Sequence, residues 1–129
     1  MNKNLTAEQE AIRRAILAYY YEGHVQHDAA RYEPILHPAW KFFLREADGG
    51  LRIIDRDEYL SWYDPADRDP ALAWETEVYS IDVTDHIASV RLRLECQKVA
   101  YTDHFHMMKL DGRWQIVHKM SYGGPKSNG

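Results

Sequence analysis

Asp103 is the residue whose type and setting best suit chemistry. It lies in Tyr101–Leu110, a stretch whose polar and apolar residues alternate with period two, as in a strand with one buried face. Counted from the Asp111-Gly112 turn, that alternation aims its carboxylate at the apolar face, beside Leu94 and Met120, with His118 diagonal to it. A carboxylate stripped of water suits a general base, and an Asp–His couple could polarise a bound water or a ligand hydroxyl. Two plainer roles stay open: Asp103 could accept a hydrogen bond from a helix Tyr hydroxyl or a backbone amide and only fix helix to sheet, and His118 could be a satisfied core histidine. Tyr19, Tyr20 and Tyr21 cover almost a full helical turn, so they cannot all be buried; one or two should bring a hydroxyl to the sheet. Asp103, His118 and Tyr20 are the expected catalytic set, with the choice among the three tyrosines left open.

Other polar clusters are weaker. His104 and His106 point the same way but share the polar face with Arg91 and Arg93, whose charges disfavour a cation, so no metal is expected. His24 and His27 flank a helix end, where capping is the default. Glu75 and Glu77 would face inward beside Leu92 and Leu94 if the turn centred on Thr84-Asp85, at a high desolvation cost; a bulge turning them outward is expected instead. Cys96 stands alone and nothing beside it marks a nucleophile. With no Gly-rich phosphate loop, no Ser elbow and no lipidation motif, no cofactor is expected.

These residues need elements to hold them. Thr6 to Gln9 is a capping box, and Ile12, Ile16, Tyr19, Tyr20 and Gly23 behind it recur at helical spacing to about His27. Asp28 can cap a short second helix through Leu36, distorted at Pro34. Trp40–Arg45 reads as a strand, Asp48-Gly49-Gly50 as a turn, Leu51–Ile54 as the returning strand, and Asp55 as the cap of a helix bearing Tyr59, Leu60 and Trp62. Period two dominates from Trp74 onward. The Asp111-Gly112 turn pairs Met107 with Ile116, Phe105 with His118 and Asp103 with Met120. A turn at Lys98-Val99 would pair Cys96 with Tyr101, Leu92 with Phe105 and Val90 with Met107. Both gather Val90, Leu92, Leu94, Phe105, Met107, Ile116 and Met120 on one face, opposite Arg91, Arg93, His104, His106, Gln115 and Lys119. Helices followed by a twisted antiparallel sheet give an α+β fold, with the sheet curved around the N-terminal helices as an open-mouthed cone.

The chain has 129 residues, enough for one domain over 1–129, with an ordered core at about 6–122 and a flexible tail at 123–129. Its 16 Lys and Arg against 20 Asp and Glu give a net charge of −4, which disfavours sequence-independent nucleic-acid binding. No apolar run approaches membrane length, the N-terminus is polar, and one cysteine makes no internal disulfide; a cytoplasmic protein without membrane attachment is expected. Nine Tyr, four Trp and three Phe would suit an aromatic-lined cavity, a packed core or a dimer interface.

Several segments carry a family likeness in their order and spacing. They are Tyr19-Tyr20-Tyr21-Glu22-Gly23, His27-Asp28, Leu36-His37-Pro38, Ile81-Asp82-Val83 with Asp85 and Ala88, Tyr101-Thr102-Asp103, and Lys109 through Lys119. Together they resemble the nuclear transport factor 2-like (cystatin-like α+β roll) superfamily, and within it the putative lumazine-binding group, neighbour of the SnoaL-like (polyketide cyclase-like) proteins. The resemblance implies a cone cavity holding a small apolar or aromatic ligand. Its wall would be Tyr19, Trp40, Phe42 and Trp62 on the helix and mouth side. Leu92, Phe105, Met107, Ile116 and Met120 would complete it from the sheet. It also implies the alternatives of a cofactor-independent isomerase, dehydratase or cyclase with Asp103 as base, as relatives use a sheet carboxylate, or a non-catalytic interaction domain. A homodimer through the outer sheet face is expected from the Arg, His and Met108 enrichment there.

Overall fold

The structure is a computed structural model and describes residues 5–126. Its first element, α1 (Ala7–Ala15), opens with the capping box: the Gln9 amide donates to Thr6 Oγ1, and the Thr6 amide donates to the Gln9 side chain. The helix then widens into a π-helical segment, Ile16–Tyr21, before resuming as α2 (Glu22–Val25). The wider turns put both Ile16 and Tyr20 in the core while Tyr19 points away, 40% exposed. A regular helix was expected there. Asp28 caps α3 (Ala29–Tyr32), and Pro34 lies in a 3₁₀ turn, Glu33–Ile35, so the second helix ends before Leu36. Gly23 is needed where α2 meets α3, since a Cβ there would lie 2.8 Å from the Tyr32 ring.

Strands β1 (Leu36–Arg45) and β2 (Leu51–Asp55) precede α4 (Arg56–Leu60), which Asp55 caps through the Glu58 amide. Then follow β3 (Glu75–Thr84), β4 (Ile87–Glu95), β5 (Val99–Leu110) and β6 (Arg113–Pro125). The strands form one unclosed six-stranded sheet in the order β2-β1-β6-β5-β4-β3, with β1 parallel to β6 and the other neighbours antiparallel. Irregularities in β1, β3 and β6 help bend it around the helices. The core lies in the concavity, where Ile12, Ile16, Tyr20, Tyr32 and Ile35 pack against Trp40, Leu92, Phe105, Met107 and Ile116. At the C-terminus, Gly123, Gly124 and Pro125 pair with Tyr101, Ala100 and Val99, so the strand runs into the segment expected to be a tail. The rest of that tail, residues 127–129, lies outside the described residues, as do residues 1–4.

The registers differ from the expected ones in an instructive way. Between β4 and β5 the pairs are Leu94–Tyr101, Leu92–Asp103 and Val90–Phe105, two residues from the expected alignment. A shift of two preserves the faces, so Asp103 points inward. Between β5 and β6 the turn is as expected as far as Met107–Ile116; Val117 then bulges, and the pairs become His106–His118, Phe105–Lys119, His104–Met120 and Asp103–Ser121. That shift of one reverses the faces. His118 and Met120 turn outward, while Lys119 and Ser121 turn toward the helices. In β3, a bulge at Tyr79 leaves Glu75 and Glu77 exposed, as expected, although the turn centres on Asp85-His86.

Candidate functional site

The bulge in β6 creates the polar centre of the concavity. Asp103 (1% exposed) and Lys119 (5% exposed) become neighbours, with Lys119 Nζ 4.0 Å from Asp103 Oδ2. The Tyr20 hydroxyl donates to Asp103 Oδ2 at 2.6 Å, and the Ser121 hydroxyl donates to Oδ1 at 2.6 Å. The carboxylate thus has a helix tyrosine on one oxygen and a strand serine on the other, and it ties the π-helical segment to the sheet. Aromatic faces surround the ammonium: Nζ lies 4.5 Å from the ring centre of Phe42, 4.8 Å from Tyr59 and 5.2 Å from Tyr20. Such contacts partly replace the lost hydration of the charge.

A chain of hydrogen bonds runs away from this ammonium. Nζ donates to the Tyr59 hydroxyl at 3.2 Å, Tyr59 donates to the Tyr32 hydroxyl at 3.2 Å, and Tyr32 lies 3.2 Å from His24 Nδ1. Tyr63 donates to Tyr59 at 3.1 Å. Burial raises Tyr20, Tyr32 and Tyr59 well above the usual tyrosine range, with Asp103 adding to the effect at Tyr20, so all three stay protonated donors. Burial lowers Lys119, against an opposing pull from Asp103. His24 is pushed down to about 3 by burial, then by the charges of Lys119 and His27.

That last shift has a testable outcome. An unfolded histidine takes its proton near about 6.5, so on acidification the unfolded chain binds a proton that the folded chain refuses. Stability should therefore hold above that value and fall as the pH drops from there toward 3, by at most about 1.4 kcal/mol per pH unit from this group. Urea unfolding across this range would show a shallower acid slope in His24→Gln; an unchanged slope would assign the loss to other groups.

The polar centre forms the inner wall of a recess of about 280 Å³ that opens to solvent, lined further by Phe42, Leu44, Trp62, Leu94, Tyr101 and Gly123. Gly123 is held at φ +139°, with the Ala100 carbonyl oxygen 2.1 Å from where a Cβ would sit, so only glycine fits this close approach to β5. Asp103, Tyr20, Phe42 and Trp62 meet at the recess. The other residues assigned to it lie elsewhere. Trp40, Leu92, Phe105, Met107 and Ile116 are buried in the core and do not line it, because the helices pack directly onto them. Tyr19 faces outward by the π-helical widening, and the bulge leaves Met120 48% exposed. His118 also lies on the outer face, stacked edge-on with His106 at 4.5 Å between ring centres, and makes no couple with Asp103. Gln115, expected on the polar face, is buried.

Among the recess residues that sequence reasoning passed over are Lys119, Ser121, Tyr59, Tyr63 and His24. His24 carried a usable signal, four residues from Tyr20 on a helix and hence on its face; Lys119 carried none that survives the bulge. Among the described residues no group of three or more His, Cys, Asp or Glu side chains could hold a metal ion, and no helix is long and apolar enough to cross a membrane.

Comparison with curated proteins found no match. Solved structures share the architecture over nearly the whole chain. A nuclear transport factor 2-like protein of unknown function from Shewanella baltica OS155 is 25% identical, with 95% of this chain and 100% of that chain covered, at a TM-score of 0.81. Another from Methylobacillus flagellatus KT is 19% identical, with 97% of each chain covered and a TM-score of 0.78. A ketosteroid isomerase-like protein from Erwinia carotovora atroseptica SCRI1043 is 15% identical, covering 92% of this chain and 98% of that one, with a TM-score of 0.70. With residues 7–122 matching the family's description, this nuclear transport factor 2-like chain belongs to the putative lumazine-binding family.

Proposed function

We propose that the chain, acting as one cytoplasmic domain, binds a small flat ring compound bearing a carbonyl or oxyanion in the recess between Trp62 and Lys119. The observation that carries this reading is the Lys119 ammonium at the inner wall: nearly water-free, caged by three rings and beside a carboxylate. A buried charge of this kind costs stability that an apolar core would not lose. It leaves N–H donors over after the one bond to Tyr59, on a side chain that lines the recess. Phe42, Leu94 and Trp62 supply the apolar wall for a ring, and the volume suits a compound of one or two rings. The family description names lumazine, a fused-ring dicarbonyl compound, and the Erwinia neighbour is described as ketosteroid isomerase-like; ring carbonyls are common to both.

A second reading, a cofactor-independent isomerase, dehydratase or cyclase with Asp103 as general base, has the burial of that carboxylate in its favour. Each of its oxygens already accepts a hydroxyl proton, so it would have to release Tyr20 or Ser121 to take one from a substrate. Binding is therefore preferred. Calorimetric titration with lumazine tests it. Saturable heat that weakens by about tenfold in Trp62→Ala supports the reading, since a partly exposed wall aromatic is the kind of contact that carries binding energy. Absence of saturable binding overturns it.

The outer sheet face exposes Ile87, Met108 and Met120 around His106 and His118, and we propose that it pairs two copies of the chain. Sedimentation should give twice the chain mass, reverting to the single mass in Met120→Glu. A wild-type monomer at micromolar concentration would refute the pairing.

A further inference from the structure

We infer that Lys119 forms a Schiff base with a small aldehyde or ketone that enters the recess. This rests on the binding reading above and narrows its ligand class to compounds with an electrophilic carbonyl carbon.

The geometry supplies each requirement of the reaction. The amine stands at the wall of an open recess, so a carbonyl can reach it, while Phe42, Tyr59 and Tyr20 shield it from bulk water that would reverse the condensation. Burial also favours the neutral amine, the form whose lone pair attacks. The protons that leave the ammonium pass to the departing carbonyl oxygen, so no base outside the recess is needed, and the Tyr59 hydroxyl to which Nζ donates holds the amine in place.

The step balances without an oxidant or reductant. The Nζ lone pair attacks the carbonyl carbon and a C–N bond forms. The carbon–oxygen bond then breaks, and the oxygen departs as water. Counted from the ammonium, two of its three protons end on that water and one stays on the iminium nitrogen. Net charge is unchanged, so Asp103, 4.0 Å away, serves as counter-ion both before and after. Tyr20 and Ser121 hold the carboxylate in place for that role.

Treating the full chain with benzaldehyde and sodium cyanoborohydride at pH 7, then mapping the modified peptides by mass spectrometry, tests this. The expected result is one dominant reduced adduct on Lys119, formed faster than adducts on exposed Lys98 and Lys126, because the carbonyl is held in the recess beside Lys119. Labelling in urea should lose the preference. Adducts spread over exposed lysines with none on Lys119 overturn the inference. Lumazine binding measured on the same sample separates the two readings, because its lactam carbonyls do not condense with amines. If lumazine binds and Lys119 stays unlabelled, the Schiff base alone falls; if neither occurs, the binding reading falls with it.

Discussion

Asp103→Asn is expected to lower stability by about 3–5 kcal/mol at pH 7, because it leaves the Lys119 ammonium buried without its counter-charge. The substitution keeps shape and can still pair with the Tyr20 and Ser121 hydroxyls, so the loss reports the charge rather than a cavity. Its pH dependence identifies the cause. Burial already lowers Lys119 in the wild type, and Asp103 opposes that shift; without Asp103 the folded-state value drops further. An unfolded lysine titrates near about 10.4, so between the folded and unfolded values the unfolded chain binds more protons, and stability rises with pH. The variant should therefore regain stability as the pH is raised from 7. The gain should end near about pH 10, where tyrosines in the unfolded chain begin to ionise and the buried Tyr20, Tyr32 and Tyr59, held protonated, start to favour unfolding. Urea melts at several pH values measure both effects. A loss below about 1 kcal/mol that does not change with pH would mean that water entering the recess screens the Lys119 charge.

Why the sequence revealed one half of this pair and hid the other follows from parity. The Asp111-Gly112 turn and the alternation of β4 and β5 placed Asp103 on the inner face, and the loop after Glu95 then shifted the register by two residues, which leaves every side chain on its side. Periodicity is insensitive to even shifts, so Asp103 was legible even though its expected partners were not. The Val117 bulge is an odd shift, and Trp114, Ile116, His118 and Met120 mimic an unbroken buried row across it. Nothing in a two-residue period marks where one residue is added, so Lys119 read as a solvated lysine and His118 as an inward one. The π-helical widening hid the choice among Tyr19, Tyr20 and Tyr21 for the same reason: it adds a residue to a helical repeat. Capping residues were legible because each acts within its own turn, as Thr6, Asp28 and Asp55 show. The Tyr59–Tyr32–His24 chain joins three separate helices, and no local pattern announces it.

Whether the buried pair serves the fold or a ligand can be decided by removing both members. Lys119→Met alone should cost less than Asp103→Asn, since Asp103 keeps two hydroxyl donors when the ammonium goes. In the double variant Asp103→Asn/Lys119→Met no charge is left in the concavity, and the methionine packs against Phe42, Tyr59 and Tyr20 in place of the lysine stem. It should be more stable than Asp103→Asn by about 2–4 kcal/mol, because exchanging a buried ion pair for neutral groups of similar volume is close to neutral. The four melts form a cycle whose coupling energy should be favourable to the native pair by at least about 2–4 kcal/mol, the gain in the double variant plus the cost of Lys119→Met alone. A double variant no more stable than Asp103→Asn would show that the loss came from packing and not from charge. Lumazine affinity should move the other way, falling by about tenfold or more in the double variant, as expected when a charged donor to a ligand acceptor is lost. Near wild-type stability combined with lost binding would mean that the fold does not need the pair and the recess does, which is the ordering expected if the β6 bulge persists in order to bring Lys119 inside.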